Sequence, residues 1–108
     1  VVTVNEPVPL ACRLGGAEMR DRQAQIAGLG QDGLVSIEHK TQRAVLRFRP
    51  GAELRRRIDE ILDAESRCCA FLDFQVEEEA YATLVTIDAP PGGEPTLRGL
   101  AAMFTPTG

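Results

Sequence analysis

The residues of this chain with the most chemical potential lie in DAESRCCAFLDF, residues 63–74, where Glu65 precedes the adjacent cysteines Cys68 and Cys69. Wound into a helix at about 100° per residue from Leu54, Glu65 lies about 20° from the starting direction, Cys68 about −40° and Cys69 about 60°. Leu54, Ile58, Ile61 and Leu62 occupy the same stripe, so the carboxylate is expected within the apolar face. An uncompensated carboxylate there is costly and calls for a proton, a hydrogen bond, a cation or a metal. Thiolates favour soft ions. The sharper reading is therefore a small site for Hg, Cu or Zn, with Cys68 and Cys69 as main ligands, Cys12 from an early strand as a third, and Glu65 as tuning carboxylate or further ligand. His39 and Asp73 join only if the fold brings them close.

Other features argue against that reading. The chain has neither a C-x-x-C pair nor a second spaced Cys/His pair, and adjacent cysteines are awkward ligands for one tetrahedral ion. Both cysteines sit toward the helix C-terminus, where the dipole disfavours a thiolate, so strong spontaneous activation is not expected. In the plainer reading Glu65 curls to the surface or pairs with Arg43, Arg47 or Arg49, and the cysteines pack in the core, as free cysteine commonly does. A structural disulfide ranks below a thiol role or packing, because three cysteines are too few for a disulfide scaffold and neighbouring side chains diverge. A thiol-dependent enzyme is a further alternative, and the residues do not decide whether the chain is an enzyme. The sole histidine, His39, is expected to face solvent.

These residues need elements to position them. VPLACRL (8–14) reads as a first or edge strand, placing Cys12. A helix follows from about Ala17 to Leu29, with Met19, Ile26 and Leu29 near one face; Gly28 and Gly30 are expected to close it, and GLGQDG (28–33) reads as a turn rather than a nucleotide-binding loop. LVSIEHK (34–40) and RAVLRFR (43–49) form a hairpin about Thr41-Gln42, ended by Pro50-Gly51. The long amphipathic helix spans Ala52 to about Cys69, and its Arg55-Arg56-Arg57 run reads as a solvated face offset by acids. Strands at LDFQVEE (72–78) and YATLVTI (81–87) follow, the latter apolar on both faces as a central strand would be. A helix over Thr96–Phe104 completes the chain, and Tyr81, Phe71, Phe74 and Phe104 are core candidates.

The order β-α-β-β-α-β-β-α defines an α+β fold: a small, mostly antiparallel sheet with helices packed on one face, a split βαβ (ferredoxin-like) variant. At 108 residues this is a single domain, 1–108, with its core over about 8–104 and loose ends at 1–7 and 105–108. Exposed sheet edges make a homodimer through an edge the expected assembly.

The segments ELRRRIDEILDAESRCCAFLDFQVEEE and LVTIDAPPGGEPTLRGL resemble a group of small bacterial proteins and regulator tail domains. That group carries E-x-x-C-C-x-F-x-x-F/L ahead of a strand, then a Gly/Pro-containing loop and a last helix. The matching positions are Glu65, Cys68, Cys69, Phe71 and Phe74, and PLACRL with Cys12 is similar too. The resemblance implies soft-metal handling and a metal-responsive regulator as partner; it implies no activity. Ala70 stands where such sequences often have Pro, and Gly15-Gly16 where they often have a Thr or Ser cap.

Composition narrows the classes. The chain is 44% hydrophobic and 26% charged with a net charge of −4, an ordinary globular composition without the basic face of a nucleic-acid binder. No apolar run reaches the roughly 18 residues of a spanning helix. VVTVNEPVPLAC lacks the basic and apolar regions of a signal peptide, so the cytoplasm is the expected compartment.

Overall fold

The computed structural model describes residues 16–105. Its elements are α1 (Gly16–Gly33), β1 (Leu34–His39), β2 (Arg43–Phe48), α2 (Ala52–Cys68), β3 (Asp73–Glu79), β4 (Ala82–Asp88) and α3 (Glu94–Met103). The four strands form one antiparallel sheet in the order β1-β2-β4-β3. Because β2 and β3 both run antiparallel to β4, they run parallel to each other, with α2 as the crossover between them. That is the expected split βαβ arrangement. The expected strand at 8–14, with Cys12, lies outside the described residues.

Alternation along the strands decides which face is covered. Ala44, Leu46 and Phe48 on β2 stand opposite Ile87, Val85 and Thr83 on β4, and all six are buried. Phe74 and Val76 of β3 extend this face past Ile87 and Val85, and Leu34 and Ile37 of β1 extend it past Phe48 and Leu46. The helices supply Ile26 and Leu29 from α1, Ile58, Ile61 and Leu62 from α2, and Leu97, Leu100 and Ala101 from α3, so one continuous core forms. Phe104 meets Phe48 edge-on, with ring centroids 5.9 Å apart, a favoured aromatic geometry. Phe71 and Phe74 pack against this core. Tyr81 does not: it is 90% exposed, because it lies in the β3–β4 turn and precedes the strand.

No described element packs on the other sheet face. There the alternate residues Arg43, Val45 and Arg47 stand opposite Asp88, Thr86 and Leu84. Arg43 pairs with its cross-strand partner Asp88 at 2.6 Å, and Arg47 reaches Glu79 at 3.5 Å.

α1 departs from the expected boundaries. It does not end at Gly28 or Gly30, and GLGQDG is its last part rather than a turn. The reason is packing at Gly30, where a Cβ atom would overlap the backbone carbonyl of Phe104. This glycine admits the end of α3 against α1 instead of closing the helix. Gly51, just before α2, has φ +150°, a conformation that side chains rarely adopt, and this fixes the sharp entry into α2.

Candidate functional site

α2 places Glu65 as its spacing requires. Ile58, Ile61, Leu62 and Glu65 are its buried residues, and the Glu65 side chain is 2% exposed. Its partner comes from across the fold. Arg22 on α1 donates from Nη1 to Glu65 Oε2 at 3.1 Å, with 20% of the arginine side chain exposed. The plainer expectation that Glu65 curls to the surface or pairs with Arg43, Arg47 or Arg49 is therefore corrected. Those arginines stand on β2 or just beyond it, and Arg43 and Arg47 belong to the uncovered face.

Burial raises the Glu65 pKa above the usual carboxylate value, and the hydrogen bond and charge of Arg22 oppose that rise. Arg22 was not legible as part of this group. α1 is weakly amphipathic, and an arginine on it has no sequence-local link to a glutamate 43 positions later. The one available signal was that a buried carboxylate must find a cation.

The helix ends between the two cysteines and sends them to different surroundings. The Cys69 amide donates to the Glu65 carbonyl at 2.6 Å, and the Leu72 amide donates to the Cys69 carbonyl at 3.0 Å. Cys69 is 1% exposed and belongs to the core. Its Sγ lies 3.9 Å from Glu65 Oε1. Cys68 is half-buried and packs against the edge of the core. Cys12 lies outside the described residues.

The remaining candidates stand apart. His39 ends β1 and Asp73 begins β3, and these strands form opposite edges of the sheet. His39 is exposed, as expected. Among the described residues, no three His, Cys, Asp or Glu side chains are grouped to hold a metal ion.

The arginine run is the expected solvated face. Arg55 pairs with Asp59 at 3.0 Å and Glu78 at 2.8 Å; Arg56 pairs with Glu53 at 2.6 Å and Glu60 at 2.7 Å; Arg57 pairs with Asp32 at 2.8 Å. Each guanidinium has a carboxylate beside it, so the run offers no concentrated positive field for an anion.

A cavity of about 350 Å³ opens beside Glu65, lined by Gln23 of α1, Glu65 and Cys69 at the end of α2, and Thr96, Gly99, Leu100 and Met103 of α3. It was missed in the sequence because its walls come from three separate helices.

No family model matches the chain, and no curated protein or solved structure matches it. Among the described residues, no helix is long and apolar enough to cross a membrane.

Proposed function

We propose that this chain is a structural or protein-interaction module whose cysteines serve its core, and that it does not handle a metal ion. The observation that carries this reading is the state of Cys69: 1% exposed and packed among core residues. Metal coordination needs deprotonated sulfur and converging ligands. Here the two neighbouring sulfurs occupy different environments, and the buried carboxylate between them is bonded to an arginine. Glu65 then ties α1 to the end of α2, an architectural task. A regulator-associated role, as the resemblance implies, is compatible with such a module: the domain would dock beside the regulator and leave metal sensing to it. Residence in the cytoplasm belongs to the same proposal.

The competing soft-metal reading makes a different prediction for one experiment. Wild type, Cys68→Ser and Cys69→Ser are titrated anaerobically with Zn(II), Cu(I) and Hg(II), both as isolated and after reduction, and followed by native mass spectrometry and thermal unfolding. A core role predicts metal binding no tighter than that of a generic thiol. Cys69→Ser should lose about 1–3 kcal/mol of stability, the cost of placing a hydroxyl in an apolar buried site. Cys68→Ser should lose less than about 1 kcal/mol, because the site is half-buried. A tight 1:1 complex with reduced wild type, abolished in either variant, would return Cys68, Cys69, Cys12 and Glu65 to the role of ligands.

A further inference from the structure

β3 is the outer strand on one side of the sheet, with β4 as its one strand neighbour among the described residues. It pairs with β4 along all seven of its residues, without a register shift. The other edge, β1, is one residue shorter, and its register shifts between Leu34 and Ser36. The outward N–H and C=O groups of a regular, proline-free edge are a template for another strand. β3 is therefore the edge that an extended segment can join.

The two faces of this edge call for different side chains. On the helix side, Phe74 and Val76 are half-buried, whereas Ile87 and Val85, their partners on β4, are fully buried. Neighbouring strands stand about 4.8 Å apart and place alternate side chains on one face. An added strand would thus cover the outer flank of Phe74 and Val76 with apolar residues of its own. On the uncovered face, Asp73, Gln75 and Glu77 are exposed. Asp73 stands opposite Asp88, a like-charge pair of the kind that destabilises a ladder, and Asp88 is already held by two bonds from Arg43. Glu78 and Glu79 take Arg55 and Arg47. Among the described residues no cation pairs with Asp73 or Glu77. The edge carries uncompensated negative charge on one face and an incompletely covered apolar strip on the other.

We propose that the β3 edge is the docking surface of this module, and that its partner supplies an extended segment in which basic and apolar residues alternate. Lysines or arginines of that segment would lie beside Asp73 and Glu77, and its apolar residues beside Phe74 and Val76. Its backbone would continue the ladder, which is recognition by strand addition. The charges that repel a second copy of β3 select this occupant. The inference rests on the reading of the chain as an interaction module and names the surface and the partner chemistry for it.

The test is a ¹⁵N chemical-shift titration of the full chain with the capped peptide KVKVKVK, which matches β3 in length. Its controls are the charge-reversed EVEVEVE and KVKPKVK, whose central proline keeps the charge and removes a backbone donor. Saturable binding of KVKVKVK is expected, with the largest shifts along Asp73–Glu79. KVKPKVK should bind at least about tenfold more weakly, and EVEVEVE should not bind. Asp73→Asn/Glu77→Gln alters two exposed side chains, so the protein stays folded. It should weaken binding of KVKVKVK about fivefold, as the loss of two opposite-charge pairs across a ladder requires, and flatten its salt dependence. The proposal is overturned by shifts that do not saturate or that scatter over the surface, by either control binding as tightly as KVKVKVK, or by unchanged binding to the double variant. Any of these results moves the docking surface away from β3 and leaves the module reading standing, because that reading falls only to a tight metal complex in the thiol titration.

Discussion

At the scale of single residues, Glu65 is held between two opposing effects. Burial favours its neutral form and Arg22 favours its charged form, with burial the larger. The folded state therefore binds this proton more tightly than the unfolded chain does. The stability linked to protonation is fully present below the unfolded pKa and is lost as pH rises through the higher folded pKa. Glu65→Gln removes the titration. Relative to that variant, wild type should be more stable at pH 4 than at pH 7, as measured by urea denaturation of both proteins at both pH values. A pH-independent difference, or wild type gaining at pH 7, would mean that Arg22 dominates. Glu65→Ala should cost about 2–4 kcal/mol at neutral pH, since it leaves a cavity and strips a partly buried arginine of its carboxylate. The position of Glu65 was legible because helical period alone places it among Ile58, Ile61 and Leu62. The partner was not, because tertiary packing alone brings Arg22 to it.

At the scale of the elements, α1 and α3 each carry an interior glycine, and the two should respond oppositely to the same change. At Gly30 an added methyl runs into the carbonyl of Phe104, and backbone on both sides cannot rotate away. Gly30→Ala should therefore destabilise the protein by about 2 kcal/mol despite alanine's higher helix propensity. At Gly99 the methyl meets nothing within 4 Å, so Gly99→Ala should stabilise by about 0.5–1 kcal/mol. Denaturant midpoints of the two variants check both signs, and a stabilised Gly30→Ala would show that α1 and α3 pack less closely. From the sequence these positions are hard to rank. Glycine near the end of a weak helical pattern ordinarily marks a C-terminus, which is why α1 is read too short at Gly30. α2, β2 and β3 suffer no such ambiguity, because their apolar periods of 3.6 and 2 are sustained along the element.

At the scale of the whole molecule, the sheet has two edges, and each opposes pairing with another copy. β1 is short and its register shifts between Leu34 and Ser36, a bulge of the kind that turns an edge away from pairing. β3 reads DFQVEEE, with Asp73, Glu77 and Glu79 on the uncovered face and Glu78 on the helix side. Strand order, which decides that these two strands are the edges, was not legible from the sequence. The hairpins β1–β2 and β3–β4 were, but their mutual placement depends on how α2 crosses the sheet. An antiparallel β3–β3 pair would set acidic side chains against acidic side chains, at up to about 1 kcal/mol for each opposed pair. An edge-to-edge homodimer should therefore be weak at neutral pH and low salt. Asp73→Thr/Glu77→Thr replaces two of these charges by a residue that favours strands and should strengthen self-association. Sedimentation velocity over a concentration series reads the difference: wild type is expected to stay monomeric where the double variant begins to dimerise, and added salt should narrow the gap by screening the carboxylates. A wild-type dimer whose affinity is unchanged by the substitutions would place the interface elsewhere, with β1 or the uncovered sheet face as the surfaces to examine next.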